Sequence, residues 1–366
     1  MIPLRLKVET EAIDPYVVRL RSFEGVAHDM PTLSSFDAVL GNATGESADY
    51  SGGEGTLRVF GIDASDINGD VLFVVPRRGT AHRLIRANSR HNTLLVTERC
   101  DQLCLMCSQP PKKQHVDMFP FFETAVLLSP ENATIGLSGG EPTLFKSELL
   151  EFLGRMLAAR PDIDFHVLTN AQHFDRDDLA RLGELDLNRV LWGVPVYSSD
   201  PNVHDGIVAK PGAFDKVREG LSILCQAGAK IELRTVLMKP NAAGLADLAR
   251  FVTTSLPFVD KWAIMQLENI GYGRQNWDSL FFDSSRGFDT VGKALDLAIS
   301  RGINAMLYNF PLCTLPPNYR TFAPSTISDW KRTYVSECSG CRLRDDCGGF
   351  FEWHPKAHGY ARFGLT

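Results

Sequence analysis

The stretch that decides the fold is "NTLLVTERCDQLCLMCSQPPK", residues 92–112. Its first part, "TLLVT" (93–97), is a short apolar run that reads as a buried strand. The chain then enters a loop holding Cys100, Cys104 and Cys107, three of the eight cysteines, at C-x3-C-x2-C spacing. In a reducing compartment, clustered cysteines mark metal or redox chemistry more often than disulfides. A tetrahedral metal site wants four ligands and this loop offers three. Three thiolates on a 4Fe-4S cube bind three irons and leave the fourth open for substrate, as catalytic zinc sites keep one position free. The alternatives are three buried small hydrophobes or part of a zinc site.

The flanking sequence fits a soluble cytoplasmic chain. At 366 residues and 44% hydrophobic content it can bury a sizeable core. The start, "MIPLRLKVETEAIDP", places Arg5, Lys7 and Glu9 where a secretory signal needs an unbroken apolar run. No later stretch approaches the ~18 consecutive apolar residues of a membrane span. A net charge of -6 without a Lys/Arg run argues against a nucleic-acid partner.

Three zones differ in texture. Residues 1–92 hold the strand-like runs "LRVFGI" (57–62) and "DVLFVV" (70–75) around "GNATGESADYSGGEGT" (41–56), whose five glycines argue against regular structure there. A small β-rich N-terminal unit is expected. From residue 93 strands and helices alternate: "TLLVT", "TIGLS" (134–138), "FHVLT" (165–169), "RVLWGVPVY" (189–197), "IELRTVL" (231–237), "KWAIMQL" (261–267) and "INAMLY" (303–308). Between them lie amphipathic stretches, one with Leu149, Leu150, Leu153, Met156 and Leu157 on a face, another with Phe214, Val217, Leu221 and Leu224 ahead of Gly228. Apolar strands separated by helices imply a helix-covered parallel sheet, and six βα units with a seventh strand fit a partial or full α/β barrel spanning 93–310. In such folds ligands bind at the carboxyl ends of the strands. Residues 311–366 lose periodicity and carry Cys313, Cys338, Cys341 and Cys347. The 24 residues between Cys313 and Cys338 need something besides a core to order them, and a metal would do so.

At the end of the second barrel strand stands "LSGGEPTL", with Gly139, Gly140, Glu141 and Pro142. Glycines without a Cβ let backbone approach a ligand, and Glu141 offers a carboxylate for an ammonium group. The tail segment "ECSGCRLRDDCGGFF" has C-x2-C-x5-C spacing, which with Cys313 supplies four thiolates. A structural zinc with the same ligands is the alternative. Cys225, alone on a helix face, reads as a core residue.

The cysteine triad followed one βα unit later by Gly-Gly-Glu-Pro resembles the radical S-adenosylmethionine (SAM) enzymes, over residues 93 to about 310. The resemblance implies an α/β fold: a partial (β/α)6-type radical SAM barrel with a β-rich N-terminal unit and an irregular C-terminal iron-sulfur extension. It implies that Cys100, Cys104 and Cys107 hold a 4Fe-4S cluster whose open iron is chelated by SAM. The Gly139–Pro142 segment would steady the SAM amino group, Asn170 in "LTNA" would sit at the third strand end, Ser198 would face the ribose and Arg234 in "LRTVLMKPN" the carboxylate. Ser198 also reads as a turn serine, and Arg234 as a partner for Glu232. Where the family usually has an aromatic residue against adenine, this sequence has Met106, so the contact becomes a thioether one. His204 and Asp205 resemble a recurrent family pair, but read first as a hydrogen-bonded loop pair. The tail resembles the auxiliary-cluster extension of peptide- and protein-modifying members, with Phe350 where the two-cluster version has its next cysteine. One auxiliary iron-sulfur cluster, 4Fe-4S, is expected on Cys313, Cys338, Cys341 and Cys347.

The block at 92–112 is most similar to the C-type radical SAM maturase of the His-Xaa-Ser system. That implies a precursor peptide or protein rich in His-Xaa-Ser repeats as substrate, a second radical SAM maturase as partner, and an electron donor such as flavodoxin or ferredoxin. The N-terminal unit is the candidate for docking the precursor by strand addition to a sheet edge, or else it closes the bottom of the barrel. Two other function classes stand beside this one: a small-molecule radical SAM enzyme, and a non-catalytic iron-sulfur partner of another maturase. Neither a membrane nor a nucleic acid is expected.

Overall fold

The computed structural model describes residues 2–22, 34–355 and 359–362. The chain divides into two compact units. One comprises Met1–Val96, Val116–Leu137 and Glu151–Phe165, the other Thr97–His115, Ser138–Leu150 and His166–Thr366.

Among its described residues up to Ile85 the first unit has the strands β1 (Arg5–Thr10), β2 (Tyr16–Arg21), β3 (Asp37–Ala43), β4 (Ser47–Gly52), β5 (Gly55–Phe60), β6 (Val71–Val75) and β7 (Thr80–Ile85). They close into a barrel in the order β1-β5-β4-β3-β2-β6-β7. Alternate residues point inward, so Leu6 and Val8, Val18 and Leu20, Tyr50, Leu57 and Val59, and Leu72 and Val74 build one core. The glycine-rich stretch 41–56 is here regular structure, contrary to the expectation from its composition. β4 runs through its middle and pairs with β3 and β5, burying Ala48 and Tyr50. Its glycines allow the pairing instead of preventing it. Gly55 takes a left-handed φ of 86° after the β4–β5 turn, and a Cβ on Gly52 would lie 2.7 Å from the Asp37 carbonyl oxygen. Closure also removes the free sheet edge that strand addition would use. β2 and β3 meet only over Arg19–Arg21 and Asp37–Val39. Beside that short pairing a cavity of about 450 Å³ opens, lined by Tyr16, Val18, Phe36, Glu54 and Phe121 among others.

The barrel-type sheet has seven further strands: β8 (Asn92–Thr97), β9 (Thr134–Gly139), β10 (Asp164–Leu168), β11 (Val190–Pro195), β12 (Lys230–Leu237), β13 (Lys261–Gln266) and β14 (Ala305–Tyr308). They lie in strict chain order, with β11 to β14 paired in parallel, the arrangement of a partial barrel. All seven coincide, within a residue or two at most ends, with the strands expected from the sequence. The connecting helices are α1 (Phe119–Leu127), α2 (Lys146–Ala159), α3 (Asp178–Gly183), α4 (Pro201–Val208), α5 (Ala213–Gln226), α6 (Lys239–Ala242), α7 (Leu245–Ser255), α8 (Gly271–Gln275), α9 (Trp277–Leu280) and α10 (Ser284–Ser300). α5 buries Phe214, Val217, Leu221 and Leu224 and ends before Gly228 at φ 77°, as the pattern predicted. Cys225 on α5 is only half-buried, so it is no core residue. Among the described residues beyond β14 the tail has short 3-10 turns and a two-residue pairing of β15 (Arg332–Thr333) with β16 (Phe350–Phe351).

Candidate functional site

The loop after β8 is held from several sides. At its start the Thr97 hydroxyl accepts from the Arg99 amide at 3.1 Å. Farther on, the Leu103 and Leu105 amides donate to the Val208 and Ile207 carbonyls at the end of α4. The Asn276 side chain donates to the Leu105 carbonyl at 2.8 Å, and the Tyr272 amide to the Cys107 carbonyl at 2.8 Å. Gly271 permits this last approach. Its φ is 56°, and a Cβ there would stand 2.4 Å from the Cys107 oxygen.

Within this frame the Cys104 thiol donates to Gln102 Oε1 at 3.4 Å and the Cys107 thiol to the Gln109 carbonyl at 3.1 Å. Burial pushes Cys100 up to about 11 and Cys104 up to about 12, and for Cys104 the charges of Cys107 and Cys100 add to it. Burial raises Cys107 as well. Such thiols are protonated on their own and deprotonate when a cation takes the proton's place. Three neighbouring thiols in one braced loop are a donor set that fits an iron-sulfur cluster. Among the described residues, no three His, Cys, Asp or Glu groups converge on a single metal ion.

Gly139 and Gly140 serve a purpose that composition could not disclose. A Cβ on Gly139 would lie 2.2 Å from the Thr97 carbonyl oxygen, and one on Gly140 2.0 Å from that of Arg99. Their bareness lets the end of β9 press against the root of the cysteine loop, where the Gly140 and Glu141 amides donate to the Thr97 and Arg99 carbonyls at 2.8 and 2.7 Å. Glu141 is 1% exposed and its carboxylate is fully engaged. Oε1 accepts from the Thr143 amide at 2.8 Å, the Thr143 hydroxyl at 2.5 Å and the Thr169 hydroxyl at 2.6 Å. Oε2 accepts from the Asn170 amide at 2.6 Å. Burial pushes this carboxyl upward against those bonds. The group ties the ends of β9 and β10 together, and Pro142 starts the turn that follows it.

The remaining expected residues have separate surroundings. Asn170 donates from Nδ2 to Asp101 at 2.9 Å. Ser198 is buried and its hydroxyl accepts from the Asp200 amide at 3.0 Å, a serine turn leading into α4. Arg234 bonds the Glu232 carboxylate, two residues away on the same face of β12. Met106 is buried in an apolar cluster with Tyr197, Trp277, Phe350 and Tyr360. His204 and Asp205 form the braced loop read from the sequence. The Tyr197 amide donates to His204 Nδ1, while Asp205 accepts from the Gly212 and Phe214 amides. Burial brings the His204 imidazole down to about 4.

The tail cysteines also draw together. The Cys347 sulfur accepts from the amides of Leu312 and Gly349, each at 3.4 Å, which brings it beside Cys313. Burial raises Cys338, and the charges of Cys347 and Cys341 raise it further. Cys313 and Cys338 pack against the apolar cluster that contains Met106, and so does Cys104. Phe350 is a core member of that cluster.

Two polar groupings extend beyond the sequence reading, which held only the Arg234–Glu232 pair of the second. Asp101, Asn170, Gln172, His173 and Lys210 form a network beside the first cysteine. On strands β10, β12 and β14, His166, Arg234 and Tyr308 surround Glu232, with Nε2 of His166 3.4 Å and the Tyr308 hydroxyl 3.2 Å from its carboxylate. Burial alone would raise Glu232, but the neighbouring His166 and the Arg234 charge bring it down to about 2. Gly193 makes room for them, since a Cβ there would meet His166 at 2.9 Å and Arg234 at 3.1 Å. The available signal was charge at every second position of a buried strand, as in "IELRTVL", which is costly unless paired.

Residues 94–252 match the Radical SAM superfamily. Among curated proteins the chain is similar to the GTP 3',8-cyclase of Rhizobium etli (strain CFN 42), 33% identical over 191 residues, covering 48% of this chain and 53% of that one. It is 27% identical over 165 residues to the GTP 3',8-cyclase of Mesorhizobium japonicum, covering 43% and 49%. The chain thus spans about half the length of the curated relatives it matches. Among solved structures it is similar to Streptococcus suis SuiB bound to S-adenosylmethionine, at 14% identity and a TM-score of 0.48 over 61% of this chain and 51% of that one. No helix among the described residues is long and apolar enough to cross a membrane. The superfamily implies a 4Fe-4S cluster and SAM, which the braced thiol loop at the β8 end fits. The match to the Radical SAM superfamily takes in the cysteine loop, the Gly-Gly-Glu-Pro turn and the strands β8 to β12, residues 94–252 of the 366.

Proposed function

We propose that this chain is an enzyme that reductively cleaves SAM and uses the resulting radical to modify a peptide or protein, with a His-Xaa-Ser-rich precursor as the first candidate. In this reading residues 93–310 are the catalytic barrel, 311–366 an auxiliary-cluster extension and 1–92 the unit that docks the precursor. Cys100, Cys104 and Cys107 would hold the SAM-binding cluster. When bound, that cluster supplies the electron that breaks the SAM sulfonium to give a 5′-deoxyadenosyl radical. The protein's part is to release three protons from the thiols on loading and to keep the loop rigid through its bonds to α4, α8 and Asn276. Met106 and Tyr197 keep water from its inner side. Arg234 spends one N–H on Glu232 and retains others for a carboxylate. A flavodoxin or ferredoxin would supply the electron, a second radical SAM maturase would share the precursor, and the free thiols suit the reducing cytoplasm.

The observation that supports a peptide substrate is the second cysteine set, gathered about Cys347 in a tail whose spacing resembles that of peptide-modifying members. A second reading, a nucleotide substrate, is favoured by the relatives named GTP 3',8-cyclase. One experiment decides between them. Anaerobically reconstituted, reduced protein is given SAM with either GTP or the repeat peptide plus its partner maturase, and 5′-deoxyadenosine and product masses are recorded. A mass change in the peptide, lost in Cys104→Ala, supports the first reading. Conversion of GTP with an unchanged peptide overturns it.

A further inference from the structure

We propose that the ion pair of Asp101 and Lys210 sets the reduction potential of the cluster carried by the Cys100–Cys107 loop. The inference rests on the assignment of that cluster to the loop. Asp101 directly follows the first cysteine, so its carboxylate is tethered within a residue of a ligand. Lys210 comes from the loop after α4 and pairs with Asp101 Oδ2. The same carboxylate is fixed on its other side by Asn170, whose Nδ2 donates to Oδ1 at 2.9 Å, and His173 Nε2 stands 3.3 Å from Oδ2. Lys210 is fixed in turn by Gln172 Oε1 at 2.8 Å. The Asp101 side chain is 23% exposed and that of Lys210 31%. Neither charge is lost to bulk water, and neither is free to swing away.

Reduction adds one negative charge to a cluster, and the potentials of iron-sulfur centres follow the net charge around them. A lone carboxylate one residue from a ligand opposes the incoming electron, and a lysine ammonium held against it cancels that opposition. Asp101 and Lys210 are therefore positioning residues with opposite electrostatic effects. Removing Lys210 leaves the carboxylate uncompensated and makes the cluster harder to reduce. Removing the Asp101 charge leaves the ammonium and makes it easier. A purely structural brace would act in one direction only.

The test is a redox titration of the reconstituted full chain followed by electron paramagnetic resonance. The relevant cluster is the one whose signal changes when SAM is added. Lys210→Met is expected to lower its potential and Asp101→Asn to raise it, each by about tenfold in the reduction equilibrium, ~59 mV for a one-electron couple. Lys210→Arg should stay near the unsubstituted value, and the double variant Asp101→Asn/Lys210→Met should return toward it. Should Lys210→Met fail to retain a cluster, Asp101→Asn against Lys210→Arg carries the comparison. Single variants that move the potential in the same direction, or not at all, overturn the proposal. If the unsubstituted chain assembles no SAM-responsive cluster, it is the underlying assignment that falls.

Discussion

Replacing Glu141 by Gln separates a brace from a ligand. The carboxylate accepts four bonds, three at Oε1 from Thr143 and Thr169 and one at Oε2 from the Asn170 amide. Glutamine has a single acceptor oxygen. If that oxygen takes the Oε1 position, the new NH2 faces the Asn170 N–H, a backbone donor that cannot turn away. If it is flipped, three donors lose their acceptor. A buried donor left unsatisfied costs roughly 1–3 kcal/mol, and the surviving bonds lose their charge assistance. Relief from burying a carboxylate, whose titration burial already pushes upward, offsets part of this. The net expectation is a loss of about 2–4 kcal/mol in the metal-free chain, with no SAM present. Urea unfolding followed through the buried Trp192 and Trp262 reads it as a lower midpoint. An unchanged midpoint together with lost SAM binding would refute the argument and make Glu141 a group that meets the ligand.

Two further outcomes follow from the same geometry. If the four tail cysteines carry a 4Fe-4S cube, the reconstituted chain holds about eight irons and Cys338→Ala about four, measured by iron and sulfide analysis; stoichiometric zinc in that place would exclude the second cube. Because burial holds folded His204 down to about 4, the unfolded chain binds a proton that the folded chain refuses between about pH 6.5 and 4. Stability from the neutral imidazole is complete above that window and is lost as pH falls through it, by up to about 3 kcal/mol. His204→Asn keeps an acceptor for the Tyr197 amide and should flatten the pH dependence of the unfolding midpoint there, while an equally steep dependence would contradict the argument.

Local pattern carried much of the result. Seven apolar runs separated by helical stripes determine the seven parallel strands, because the periods of two and 3.6 residues are properties of short segments. Cysteine spacing determines the candidate cluster loop for the same reason, since C-x3-C-x2-C lies within eight residues. Composition misled where glycines were read as breakers in 41–56. There the partner strands β3 and β5, not the local sequence, make β4 possible. Closure of the N-terminal strands depends on β1 meeting β7, more than 70 residues later.

What only the tertiary structure decided is which groups those motifs touch. Gly139 and Gly140 are bare because the cysteine loop's own backbone lies against them. Glu141 is committed to Thr169 and Asn170, 28 and 29 residues away, and Asp101 to Lys210, 109 away. A carboxylate's partner is set by how strands and loops converge in space, and a linear sequence gives the residue's chemistry without its neighbour.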